Sequence, residues 1–338
     1  MADINLIEKL SNVSGISGSE EEVLDILKNE IKGYVDSFES DPLNNLIAFR
    51  NFNSDKPKVM INAHMDEVGL SVRNITPEGY LKFFKVGGVD DRVLPGKRVL
   101  VGKDKVKGVI SIKPIHLQTE SDRNTAPESK DMVIDLGVKT KDEAEKLVKI
   151  GDPIVFDTKF EQISQNCYIG KAFDDRLGCA IIAEILKEKF NFPLIALFST
   201  QEEVGLRGAS VGGFKYTPDI SITLEGTITA DFPDVKEYER CSSIGKGPVI
   251  TIKDNSVITD HQLREKLVKT AEKHKIPYQF KQVVAGGTDS SKIQLTKSGV
   301  KVLVLAVPAR YIHSPVSLFS LSDYENTKKL VLEFLRSL

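Results

Sequence analysis

Short, largely apolar runs alternate with amphipathic stretches along most of this chain. Residues 58–63 (KVMINA), 194–199 (LIALFS), 220–224 (ISITL) and 301–307 (KVLVLAV) carry few polar positions, which suits strands buried on both faces of a sheet. Between them stand helix-period segments announced by capping boxes: Ser19 with Glu22, Thr140 with Glu143, Thr259 with Gln262 and Ser322 with Glu325. The last of these continues through Tyr324, Leu330, Val331 and Phe334. Strands and helices in alternation predict an α/β fold, a three-layer sandwich around a largely parallel mixed sheet.

Residues 67–164 break that rhythm. LSVRNI, YLKFFKVG, RVLVG, VKGVISIKPI, MVIDLG and PIVFD are short strand-like pieces punctuated by Gly, Pro and Asp, with one capped helix near residue 141. Such a stretch predicts a small inserted β-barrel. The chain then divides into 1–66 with 165–338 as one domain and 67–164 as the insert, and a length of 338 residues suits two domains. No repeat at solenoid period and no low-complexity tract is present.

Charge narrows the partners. Lys and Arg number 46 against 48 Asp and Glu, with no long block of either sign, so neither a nucleic acid nor a membrane surface is expected as a partner. Cys167, Cys179 and Cys241 are odd in number, far apart and without C-x-x-C spacing; they read as free thiols in a reducing compartment. The first residues, MADINLIEKL, lack a basic segment followed by an apolar core, and no stretch approaches the ~18 apolar residues of a membrane span. A cytoplasmic setting is the expectation.

Residue types that bind metals stand just beyond four of the expected strands, where open α/β sheets place their ligands. They are His64, the pair Glu202 and Glu203, Glu225, and His313. Asp66 follows His64 by two positions, on the same side of an extended chain, where it can accept a hydrogen bond from the second imidazole nitrogen and fix the tautomer. Asp174 and Asp175 precede an apolar helical stretch; taken alone they read equally well as helix capping. Adjacent carboxylates on extended backbone point apart, so of Glu202 and Glu203 one can hold a metal while the other faces a water. Glycosidase carboxylates flank a sugar bond from two sides, at about 5–9.5 Å, which neighbours on one segment cannot do. Gly286, Gly287 and Thr288 beside Asp289 read as a substrate-facing turn or an ordinary helix start, and His116, His261 and His274 as surface or packed residues.

Together, AHMDEVG, GKAFDDRLG, STQEEVGLRGA, AGGTDSS and VPARYIHSP closely resemble the dinuclear metalloaminopeptidases that form tetrahedral (TET) twelve-subunit particles. These are the glutamyl or deblocking aminopeptidases, some of which carry endoglucanase or cellulase labels. The resemblance spans essentially the whole chain, including VDDRVLPG and IDLG in the insert. It implies two divalent ions per subunit, zinc or cobalt, with Asp174 bridging both, His64 and Glu225 completing one site, and Glu203 and His313 the other. Glu202 would be the general base, with Asp66 behind His64 as the second catalytic carboxylate, and the Asp174–Asp175 peptide would be cis. The family's common pattern has Asp where this chain has Glu225. Substrates would be peptides with a free N-terminus, and the insert would join subunits into dimers and a dodecamer. Three other readings stay open: a glycan hydrolase, a two-metal carboxypeptidase or amidohydrolase, and a non-catalytic metal-binding assembly protein.

Overall fold

The computed structural model describes residues 2–52 and 56–338. Its main sheet is mixed and has eleven strands. The four apolar runs form its centre: β3 (Val59–His64), β12 (Leu194–Ser199), β13 (Ile220–Ile228) and β16 (Lys301–Arg310) lie side by side and parallel, in the order β12-β3-β13-β16. Antiparallel strands extend it on both flanks. On one side these are β1 (Ser37–Ser40) and β2 (Leu46–Arg50); on the other, β17 (Ser317–Ser320), β11 (Cys167–Gly170) and β10 (Glu161–Gln162). β14 (Val249–Ile250) pairs with β16 and with β15 (Gln279–Phe280).

Alternate residues of the central strands feed two separate cores. Ala48, Ile61, Ala196, Leu224 and Leu305 pack with α1 (Ile4–Asn12), α2 (Glu21–Ile31), α5 (Phe173–Ile185), α7 (His261–Lys273) and α9 (Leu321–Ser337). Ile47, Met60, Ile195, Leu197 and Val304 pack on the other face, against Ala209 of α6 (Arg207–Tyr216) and Ile293 of α8 (Ser290–Gln294). Each fully buried Leu or Ile there contributes on the order of 1.5–3 kcal/mol. This is the expected three-layer sandwich.

Six strands between β3 and β10 close into an antiparallel barrel in the order β4-β5-β8-β7-β6-β9. They are β4 (Gly69–Ile75), β5 (Leu81–Val86), β6 (Arg98–Val101), β7 (Val106–Ser111), β8 (Val133–Asp135) and β9 (Pro153–Phe156). Leu70, Val72, Leu81, Val99, Ile110, Ile134 and Ile154 fill its interior. The barrel contains α3 (Glu120–Asn124) and α4 (Lys141–Glu145) in its connections.

Three of the four expected caps sit elsewhere. Only Thr140 caps its helix as expected, accepting from the Glu143 N–H. α2 starts after Glu20 rather than Ser19, α7 is capped by Asp260, which accepts from Leu263 N–H, and α9 starts after Ser320. In the α7 case the Thr259 hydroxyl is committed to the Thr251 carbonyl instead. No helix of the described residues is long and apolar enough to cross a membrane.

Candidate active site

The parallel register of the central strands brings the candidate residues to one end of the sheet. His64 is the last residue of β3 and faces Ser199, the last of β12. Glu202 and Glu203 follow β12 in a turn entered through Gln201 (φ +56°), and His313 (φ +58°) follows β16. Glu225 departs from expectation: it lies inside β13, paired with Ala306, because the strand runs on through polar residues to Ile228. Asp174 sits at the start of α5, where Asp174 and Asp175 leave helical geometry and the peptide between them is cis.

Asp174 stands between the two histidines. Its Oδ1 lies 3.4 Å from His64 Nε2 and its Oδ2 lies 3.4 Å from His313 Nε2. Glu225 Oε2 is 3.6 Å from His64 Nε2, and Glu203 Oε1 is 3.4 Å from His313 Nε2. Two compact groups of potential metal ligands therefore share Asp174: His64–Asp174–Glu225 and Asp174–Glu203–His313, each with donor atoms within 4.8 Å of one another. Glu202 Oε2, 4.0 Å from His64 Nε2, belongs to a third grouping with Glu203 that would use His64 twice. All of these side chains border a cavity of about 530 Å³.

Burial and mutual repulsion oppose ionisation of the glutamates in this cluster. Burial raises the Glu202 and Glu225 carboxyls well above the usual range despite His64, and neighbouring carboxylates add to it. Glu203 is raised to about 7 by burial and by Asp174, against the pull of His313. Burial opposes charge on both imidazoles, yet Glu202, Asp174, Asp66 and Glu225 raise His64, and Asp174 with Glu203 raises His313 to about 9. Asp174 is depressed below the ordinary range, because its contacts with both histidines outweigh burial. Glu225 Oε1 is buried without a hydrogen-bond partner.

A second layer orients these groups. His64 Nδ1 faces the Asp66 main-chain carbonyl at 3.1 Å and the Asp66 carboxylate at 3.5 Å. The expected contact to the carboxylate is thus the longer of two. That carboxylate instead receives the N–H groups of Glu202 (3.0 Å) and Glu203 (3.1 Å), so it holds the acidic turn as well as backing the imidazole. His313 Nδ1 lies 3.1 Å from the Gly88 carbonyl, a barrel residue 225 positions away. Both contacts leave Nε2 directed at the acidic cluster. Asp289, buried, accepts from the Ser199 hydroxyl and is raised to about 6, chiefly by burial. Gly286, Gly287 and Thr288 line the cavity, and Asp289 stands at the N-cap of α8. His116 and His261 are exposed, and His274 pairs with Glu333. Gly88 is an addition that sequence reasoning missed, and Asp289 was named only as the neighbour of the glycine turn.

Comparisons with known proteins agree with one another. A putative aminopeptidase of Acetivibrio thermocellus is 38% identical over 97% of this chain and 97% of its own length. The TET aminopeptidase of a marine-sediment Thaumarchaeota archaeon superposes with a TM-score of 0.96 at 36% identity, covering 99% of this chain and 96% of that one. A TET1 peptidase of Pyrococcus horikoshii, described as assembling into a tetrahedron or a large octahedral shell, gives a TM-score of 0.87 at 36% identity over 98% of both chains. The family model for M42 glutamyl aminopeptidases matches residues 44–330, and with the fold and the cluster around Asp174 in view, the chain belongs to the M42 peptidase family.

Proposed function

We propose that this protein is a metal-dependent aminopeptidase that removes single residues from peptides with a free N-terminus. The observation that carries this reading is Asp174, whose two oxygens face two separate histidines, each with its own glutamate. The residues fit a pair of divalent ions. Their donors are imidazole nitrogens and carboxylate oxygens, a set that suits zinc or cobalt, and the orphaned, buried Glu225 Oε1 is a donor in want of a partner. His64, Asp174 and Glu225 would hold one ion, and Asp174, Glu203 and His313 the other. Ions bound there lower the pKa of a water and polarise a peptide carbonyl.

Glu202 remains over after both ligand groups are complete. Its carboxylate accepts the proton of the attacking water and delivers it to the departing amine, the task of a general base that turns general acid. Asp66 holds the backbone of Glu202 and Glu203 in place while it backs His64. Substrates would be peptides that present a free α-amine, which an acetylated or internal residue lacks. Residues 1–66 and 165–338 form the catalytic domain, and the barrel, 67–164, joins subunits into dimers and a dodecamer, as the likeness to TET particles supports. The free cysteines are in keeping with a cytoplasmic setting.

Metal stoichiometry tests the ligand assignment. Full-length protein stripped and reloaded with zinc should hold two ions per chain; His64→Ala and His313→Ala should each hold one tightly, and Asp174→Asn should weaken both. Two ions retained by Asp174→Asn would end the shared-ligand reading. Glu202→Gln should keep both ions and lose roughly 10²–10⁴-fold in kcat. Loss of an ion in that variant would make Glu202 a ligand instead.

A further inference from the structure

The turn that carries Glu202 and Glu203 belongs to neither helix nor strand; its Gln201 and Glu202 carbonyls accept from the N–H groups of Arg207, Gly205 and Leu206, while its first N–H groups depend on side chains. Three successive main-chain N–H groups, those of Gln201, Glu202 and Glu203, are all taken by carboxylates. Asp66 Oδ1 accepts from Glu202 at 3.0 Å and Asp66 Oδ2 from Glu203 at 3.1 Å. The remaining donor, Gln201 N–H, goes to Glu20 Oε1 at 3.1 Å.

Glu20 lies 181 positions away in sequence and is 3% exposed. It occupies the N-cap position of α2, yet its side chain makes no capping bond to that helix. It bridges the Gly18 N–H, at 2.8 Å, and the acidic turn. The segment around it is docked on the chain that follows β3. Gly15 carbonyl accepts from Glu67 N–H at 2.9 Å, Ile16 bridges to Glu67, and Ser17 Oγ donates to Asp66 Oδ2 at 2.6 Å. One anchored segment thus supports the turn twice, directly through Glu20 and indirectly through Ser17 and Asp66.

We infer that Glu20 is a positioning residue for the Glu202–Glu203 turn, acting through the Gln201 main-chain N–H. The inference rests on the reading that Glu202 and Glu203 do the chemistry. Gln201 adopts a left-handed conformation without being glycine, so the turn is held by its partners rather than by local preference. Loss of the Glu20 acceptor frees the turn at the point where it leaves β12. A small displacement of a reacting group is costly to turnover and matters less to substrate binding.

Glu20→Gln and Glu20→Ala separate this role from simple packing. The glutamine amide oxygen can still accept from both N–H groups. Burial, moreover, already raises the Glu20 carboxyl to about 7 against the pull of its donors, so a neutral group is tolerated there. Using full-length, metal-loaded protein and a free-amine aminoacyl anilide, Glu20→Gln should stay within about twofold of wild type. Glu20→Ala should lose roughly 10- to 100-fold in kcat with KM little changed. Amide hydrogen exchange across residues 200–206 should quicken in Glu20→Ala and remain at the wild-type rate in Glu20→Gln. If Glu20→Ala does not fold, Glu20→Asp, which keeps the charge and shortens the reach, is read the same way. Wild-type exchange and kcat in the folded alanine variant would overturn the inference, as would equal losses in Gln and Ala variants. The exchange comparison decides the role of Glu20 even if the wild type cleaves no amine substrate, in which case the proposed function alone fails.

Discussion

At the scale of single residues, the site depends on contacts that cross long stretches of sequence. Gly88 is one: a Cβ placed there would lie 3.2 Å from His313 Nδ1, closer than side chains comfortably approach. His313 is held from its other nitrogen by Asp174 and Glu203 and cannot yield freely. Gly88→Ala should therefore lower metal occupancy at the His313 side and cut kcat about tenfold, on the order of 1.4 kcal/mol, as measured by metal analysis and steady-state kinetics. A fully metallated, fully active variant would show that the barrel loop does not constrain the imidazole. Protons compete for the same donors. His313, raised from 6.5 to about 9, binds its proton more tightly folded than unfolded, so its contribution to stability is complete below 6.5 and is lost as pH rises through 9. Glu203, raised from 4.5 to about 7, loses its contribution as pH rises through 7. Lys171, depressed to about 8 by burial, works in the opposite sense only above that value. In chelator, the unfolding midpoint should fall between pH 6.5 and 8, and saturating zinc should remove the fall. A metal-free midpoint that climbs over that interval would contradict the electrostatic picture. His64, Glu202, Glu203 and His313 stood out as candidates because imidazoles and carboxylates after apolar runs are conspicuous, whereas Asp174, before an apolar helical stretch, read equally well as a helix cap until the resemblance singled it out. Gly88 was not, since its contribution is a carbonyl oxygen that any residue possesses, and Glu20 is one of three successive glutamates with nothing in sequence to set it apart.

At the scale of elements, the central strands were readable because burial on both faces leaves little room for polar residues. β12 coincides with its apolar run, whereas β13 extends four residues beyond its own, through Glu225, Gly226, Thr227 and Ile228. The pairing of those residues with β16 continues regardless of side-chain polarity, which is why Glu225 sits in a strand and not after it. Gly226 permits this arrangement: a Cβ there would come within 2.9 Å of Asp174 Cα. Helix starts were less legible, since Ser, Thr and Asp often stand close together and the hydroxyl nearest the helix can be claimed elsewhere. Asp260→Ala should remove the cap of α7 and cost about 1 kcal/mol, read from denaturant unfolding. A cost near zero would mean that water replaces the carboxylate at Leu263 N–H.

At the scale of the whole molecule, the sandwich supplies every candidate ligand, and the barrel supplies Gly88 and the proposed contacts between subunits. Excising residues 67–164 and joining the flanks should give a smaller particle in analytical ultracentrifugation, with turnover lost because His313 is no longer held by Gly88. Retention of the full-size particle would remove assembly from the barrel's roles. The alternation of strand and helix and the change of rhythm after residue 66 made both parts visible in sequence; which atoms meet across their junction was not, because it depends on how the two bodies dock. On the proposed function, this chain cleaves only peptides that present a free N-terminus, and does so through bound metal. The most direct test sets a panel of aminoacyl p-nitroanilides beside their N-acetylated counterparts, with zinc or cobalt and then with chelator. Metal-dependent cleavage confined to the free-amine substrates is the predicted result; cleavage of acetylated substrates, cleavage that survives chelation, or activity only on glycans or C-terminal residues would contradict the account.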